Sequence, residues 1–331
     1  MSAVVAGVDE AGLGPLLGPL AIGYCALRLP HGGADPWQLL ARSVAREPAK
    51  SERRIVVADS KRVFRRTPAG ERRLELTALA FLALARGSGG PPAAARDVLF
   101  GALRPAADLL ARHPWYEDLP PVPRAVAPGT LEIAVARLGR TLAEAGAAVL
   151  AAGVRLVPAG ELNASWAATG NKADTVWERT LEVLRHLWDR YGEDGVEVCA
   201  DLQGGRSHYG PLLARGFPAA LVRRLREDRL LSSYELAERD EAARRGWLPR
   251  RMTVEFRAKG EEHSFAVALA SCLAKYARET AMAGFNRYFL LRQPGLRPTA
   301  GYTTDGRRWL AEAAPALAAG GVAPDAIVRT R

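Results

Sequence analysis

Cysteine is scarce in this 331-residue chain: Cys25, Cys199 and Cys272 lie far apart with no CxxC partner. That excludes a disulfide framework or a cysteine zinc site, and the three read as small core residues of a reducing compartment. The five histidines, His31, His113, His186, His208 and His263, show no metal-ligand spacing. No run of eighteen apolar residues occurs, which excludes a spanning helix. The first residues enter a strand without a basic region or cleavage site, so the expectation is a cytoplasmic protein off the membrane, and a monomer. Lysine is scarce as well. Only Lys50, Lys61, Lys172, Lys259 and Lys275 occur, and the other 41 of 46 basic residues are arginine.

The chain carries a formal net charge of +10. Arginine presents a planar fork to phosphate oxygens, and a basic excess favours a polyanionic partner through counterion release. Charge alone leaves nucleic-acid binding and a plain compositional preference for arginine level. Hydrophobic content of 48% is ample for one generous core.

Residues 3–9 (AVVAGVD) and 20–29 (LAIGYCALRL) read as two strands of a hairpin around a glycine- and proline-rich turn. IVVADSK (55–61) leads into a helix over about 68–85, with Ser60 as a candidate cap. RGSGGPP (86–92) breaks the chain. Residues 130–152 read as helix, 154–162 as strand, 174–191 as an amphipathic helix and 196–202 as a buried strand. A basic, irregular stretch follows, then a strand over 252–259 and a helix from Ser264 to about Ala283. Strands alternating with helices predict an α/β layer fold with a mixed sheet. The expected organisation is one domain over 1–331, with an insertion at about 87–150 and a helical C-terminal part at about 284–331.

Four carboxylates sit at the ends of predicted strands: Asp9 and Glu10, Asp201, and Glu261. Taken singly, each reads as a solvated turn, a cap or a first-turn helix residue. Gathered at one sheet edge they would repel one another, and divalent cations with a taste for oxygen, Mg²⁺ or Mn²⁺, relieve such repulsion. Two such ions about 4 Å apart clamp the attacking and leaving oxygens of a phosphodiester.

GVDEAGLGPLLGPL (7–20) resembles the opening motif of type 2 ribonucleases H, the HII and HIII group. VVADSK (56–61) resembles that family's DSK element, and VCADLQGG (198–205) its strand carrying the third acid. KGEEHSFAVALASCLAKYARE (259–279) is similar to its segment bearing the fourth acid, and GYTT (301–304) to its GY-x-T motif. The five segments fall in the family's order over roughly half the chain. The resemblance implies a ribonuclease H-like fold with a five-stranded mixed sheet flanked by helices. It implies Mg²⁺- or Mn²⁺-dependent hydrolysis of the RNA strand of an RNA/DNA hybrid, giving 5′-phosphate and 3′-hydroxyl ends. Asp9, Glu10, Asp201 and Glu261 would be catalytic and metal-binding, two ions acting together. Gly12, Leu13 and Gly14 would meet the substrate, Lys61 a backbone phosphate, and Tyr302 the sugar after the cut. The partner would be an RNA/DNA hybrid or ribonucleotide-containing duplex DNA.

Leu13 departs from the pattern, standing where HII enzymes carry arginine and HIII enzymes usually lysine or another small or polar residue, so a charged contact beside the scissile ribose is missing. The block at about 87–150 has no counterpart in the family core, and the N-terminal substrate-binding domain of HIII enzymes does not precede Asp9. RRGWLPRR (244–251) alternates arginine with Trp247 and reads equally as a phosphate track or a solvated loop. Two other readings stay open: a structure-specific DNA nuclease on the same fold, and a nucleic-acid-binding relative with weak catalysis.

Overall fold

The computed structural model describes residues 2–49, 52–87, 94–204, 206–239 and 248–330. Its centre is a mixed sheet flanked by helices, an α/β fold as the sequence predicts. Strands β1 (Ala3–Ala11) and β2 (Leu20–Leu29) pair antiparallel, with Gly7 opposite Cys25. β3 (Ala148–Val157) extends the β2 side antiparallel, while β4 (Val196–Asp201) lies parallel to β1 on the other side. Beyond β4 come β7 (Arg251–Arg257, parallel), then β6 (Leu231–Glu238) and β5 (Ala220–Glu227), both antiparallel to their neighbours. The order is β3-β2-β1-β4-β7-β6-β5, and Val44–Ala45 pairs separately with Ile55–Val56.

The sheet thus has seven strands, and the five expected are exceeded by the β5–β6 hairpin. That hairpin lies inside the stretch read as basic and irregular. Its arginines sit on a ladder and are answered across it, Arg223 by Glu235, while Tyr234 and Leu236 of β6 are buried. A second difference falls at 130–152. The helix there stops at Glu144, and β3 begins at Ala148. Gly146 at φ +63° makes the turn, a left-handed residue that breaks what an alanine-rich run otherwise continues.

β1 and β2 are covered on both faces, so their side chains split into two cores. Val4, Ala6, Val8, Ile22 and Tyr24 meet helix α4 (Lys172–Tyr191) through Val183, Leu184 and Leu187. The opposite face receives helix α5 (Phe265–Arg292), which starts at a Ser264 cap and crosses both strands. Gly7 and Gly23 make that crossing close: a Cβ on either would sit inside the α5 backbone at Ala266 or Ala270. Helices α1 (Pro68–Ala85) and α2 (Pro128–Glu144) and the buried pair Trp115–Tyr116 complete this larger core. The 94–150 segment is tied to it by Glu75 of α1. The buried Glu75 carboxylate accepts the backbone N–H groups of Arg124, Ala125 and Val126 and the Tyr276 hydroxyl.

Candidate active site

The C-terminal edges of β1 and β4 carry Asp9 and Asp201. Val8 pairs with Ala200 in parallel register, so the next residue on each strand brings the two aspartates side by side. Asp201 Oδ1 accepts the N–H of Gly260 at 3.0 Å, which pins the turn after β7. Lys259 in that turn takes φ +54°, a left-handed conformation that costs a non-glycine residue roughly 1 kcal/mol. The turn starts the short helix Gly260–His263 and delivers Glu261 to the same edge.

Burial and mutual repulsion set the electrostatics of this edge. Asp9 is 9% exposed, and its carboxyl is raised well above the usual range, first by burial and then by the charge of Glu10. Its Oδ1 accepts the Glu10 N–H at 2.8 Å, and the nearby Ser271 hydroxyl draws its carboxyl back down. Glu10 is pushed up to about 7, chiefly by burial and next by Asp201, while Lys61 pulls it back. Glu261 is also raised, by burial and by the charges of Asp201 and Asp59, with Lys61 again opposing. The four predicted carboxylates therefore act on one another, and Lys61 acts on two of them.

Among the described residues, no group of three or more His, Cys, Asp and Glu side chains is arranged to hold a metal ion as it stands. The donor set is nonetheless all carboxylate oxygen, the chemistry of a hard divalent cation. It is also short of positive charge: burial and mutual repulsion raise the carboxyls of Asp9, Glu10 and Glu261.

Lys61 and Asp59 come from the DSK element. Asp59 caps the short helix Ser60–Val63, accepting the Lys61 N–H at 2.9 Å, and the 68–85 helix is capped by Thr67, not by Ser60. Ser60 is buried and takes a hydrogen bond from the Ser271 hydroxyl at 2.9 Å. Ser271 thus ties the DSK element to the second turn of α5, beside Asp9.

Beside the acids, the glycine loop is gripped from three sides. Gly12 sits at φ +92° with no room for a Cβ against the Arg278 guanidinium. Arg278 is 1% exposed, donates to the Ala300 carbonyl at 2.9 Å, and lies 5.6 Å from the centre of the Tyr302 ring. The Gly301 carbonyl accepts the N–H groups of Leu16 and Leu17 at 2.7 and 3.0 Å. These bonds set Tyr302, 49% exposed, next to the loop. From beneath, Arg329 donates to the carbonyls of Gly12 and Gly18, and Val328 bridges Leu17. Gly14 faces open space, and Leu13 is 45% exposed.

The edge thus gathers Asp9, Glu10, Asp201, Glu261 and Lys61, with Gly12, Leu13, Gly14 and Tyr302 on adjoining loops. Sequence reasoning missed Asp59, Ser271, Arg278 and Arg329. The first three lie inside segments already singled out. Arg329 has no local sequence signal. Of RRGWLPRR, residues 244–247 lie outside the described residues.

No family model matches the chain, and no curated protein matches it. Among solved structures it is similar to ribonuclease H2 from Pyrococcus horikoshii OT3, at 16% identity and a TM-score of 0.44, over 98% of this chain and 92% of that one. It is similar to the structure of the PCNA:RNase HII complex from Archaeoglobus fulgidus, at 16% identity and 0.40, over 99% and 94%. A third is Bst-RNase HIII in complex with Mn²⁺, at 13% and 0.41, over 99% and 66%. Likeness at these values assigns neither activity nor substrate. Among the described residues, no helix is long and apolar enough to cross a membrane.

Proposed function

We propose that this chain is a metal-dependent endonuclease that hydrolyses the RNA strand of RNA/DNA hybrids, leaving 5′-phosphate and 3′-hydroxyl ends. The observation that carries the reading is the juxtaposition, at one sheet edge, of a cation-short carboxylate set with a glycine loop backed by buried arginines. The motif order of the sequence supports the same reading.

Asp9, Glu10, Asp201 and Glu261 would hold Mg²⁺ or Mn²⁺, which when bound supplies Lewis-acid stabilisation of the attacking and leaving oxygens. The chain's own residues do the rest. Gly12 and Gly14 let the backbone approach the nucleic acid where a side chain would stand. Lys61 meets a backbone phosphate, and Tyr302 offers a half-exposed ring for a sugar. A 2′-hydroxyl distinguishes the RNA strand at such a site. Ser271 stands beside Asp9 while its hydroxyl fixes the element that carries Lys61.

The test is cleavage, with Mg²⁺ and with Mn²⁺, of an RNA/DNA hybrid, DNA with one ribonucleotide, plain DNA and a branched DNA junction. Hybrid cutting by the wild type, lost in Asp9→Asn with hybrid binding kept, is the expected result. Cleavage confined to the junction would replace the hybrid by a DNA substrate. Silence on all four with binding retained would leave a binding protein.

A further inference from the structure

Behind the glycine loop lies a cavity of about 250 Å³. Its walls are Leu13 and Pro15 of the loop, Leu162 and Trp166 of helix α3 (Ala159–Thr169), Val176 of α4, and Arg329. Arg329 holds the glycine loop and Leu13 departs from the sequence pattern, and the other wall residues have no role in the reaction described above.

Three features define what the cavity accepts. Its size is below the roughly 300–1,000 Å³ of sites for drug-sized ligands, which limits it to a single ring system. Its lining is mostly apolar with one indole, Asn163, Thr175 and Thr330 add polar groups, and the Lys172 ammonium stands 4.3 Å over the Trp166 ring. Its one orphaned donor is Arg329 Nη2. Arg329 is 7% exposed, its Nε and Nη1 are spent on loop carbonyls, and Nη2 has no acceptor among the described residues. A buried donor left unmade is costly, so a ligand that brings an acceptor is favoured. The other polar groups nearby are already engaged: Asn163 holds Asp325, Val328 and Thr330.

We propose that this cavity receives one unstacked nucleobase bearing a ring carbonyl, extruded from the strand that lies on the glycine loop. The inference rests on the nuclease reading, which puts a nucleic-acid strand against Leu13 and Gly14. The base lies against Trp166, its carbonyl accepts from Arg329, and Leu13 forms an apolar lip in place of a charge. Stacking on an aromatic side chain is tolerant of base identity, so the selectivity comes from the guanidinium donor. Uracil, thymine, cytosine and guanine carry such a carbonyl, and adenine does not. Extrusion is easiest for a mismatched or unpaired base.

The test has two arms. In the first, binding of UMP, GMP and AMP to the full chain is measured by calorimetry, without metal, for wild type, Trp166→Leu and Trp166→Phe. UMP and GMP are expected to bind on the order of tenfold tighter than AMP. Trp166→Leu loses most of that binding and Trp166→Phe keeps it, both with wild-type circular dichroism. In the second arm, 5-iodouridine is scanned through a hybrid bound to Asp9→Asn and photocrosslinked, with one position expected to attach to Trp166. Equal binding of the three nucleotides, or Trp166→Leu matching wild type, overturns the cavity, and cleavage of the hybrid then leaves the nuclease reading standing. Selective nucleotide binding without cleavage of any duplex overturns the nuclease reading and keeps the base site.

Discussion

Glu10→Gln should make the metal-free protein more stable while removing a group the proposed reaction needs. The Glu10 carboxyl rises from 4.5 to about 7 in the fold, so the folded state favours its protonated form. The sign follows: the ionised carboxylate costs nothing below about pH 4.5, its penalty grows between pH 4.5 and 7, and it is full above 7. At 1.36 kcal/mol per pH unit the penalty is about 3 kcal/mol. The charge of Glu10 also raises Asp9, so the window belongs to the pair. An unfolding entropy of about 2.1 cal/mol/K per residue makes 3 kcal/mol roughly 4 °C in Tm for a chain of this length. The assay is thermal unfolding in chelator from pH 4 to 8.5, wild type beside Glu10→Gln. The curves should meet near pH 4 and part as pH rises, with the variant higher. Mn²⁺ should raise the wild-type Tm by mass action and close the gap. A variant less stable than wild type at pH 8, or a difference flat across pH, would refute the picture of a repulsive, cation-short cluster.

Gly12→Ala meets both positive φ and the Arg278 guanidinium, so a loss of roughly 2–4 kcal/mol is expected in urea unfolding. Gly14→Ala enters open space and should change stability by less than about 0.5 kcal/mol; lower hybrid affinity there would mark close backbone approach by the substrate. Glu75→Ala leaves the N–H groups of Arg124, Ala125 and Val126 and the Tyr276 hydroxyl without their acceptor and should cost about 2–4 kcal/mol, read as a lower urea midpoint. Leu13→Arg should raise incision at a single embedded ribonucleotide relative to a continuous hybrid; an unchanged ratio in the cleavage assay would show that this side chain does not set the preference.

The fold was legible where periodicity and punctuation agreed. The β1–β2 hairpin, the 68–85 helix, α4 and α5 announce themselves by apolar spacing, caps or glycine turns. The β5–β6 hairpin was hidden because its pattern is written in arginine and glutamate. Alternation there is satisfied by cross-strand ion pairs such as Arg223–Glu235, and hydropathy does not register them. β3 was hidden by alanine, which suits a helix until Gly146 turns the chain. At the site, acids placed at strand ends were readable because a strand end is a local property. Ser271 and Arg278 were not, since their partners lie over 200 residues away in sequence, at Ser60 and at Gly12. Arg329 is the extreme case: nothing near it in sequence distinguishes it from the other arginines.

That long-range grip on the loop decides what a change at position 13 can mean. Arg329 holds the carbonyls of Gly12 and Gly18, and Gly301 holds the N–H groups of Leu16 and Leu17. All of these contacts are to backbone. The Leu13 side chain, half exposed, carries none of them. Replacing it therefore leaves the loop where it is and alters only what the loop offers to a ligand. The acidic edge behaves in the opposite way, because there each side chain is itself a source of the repulsion that neighbouring carboxylates feel. Substitutions at Asp9 or Glu10 must change stability and chemistry together, whereas substitution at Leu13 separates them. A specificity change in Leu13→Arg with an unshifted Tm is then attributable to the guanidinium alone. A Tm shift of several degrees would show that the loop depends on its side chain after all.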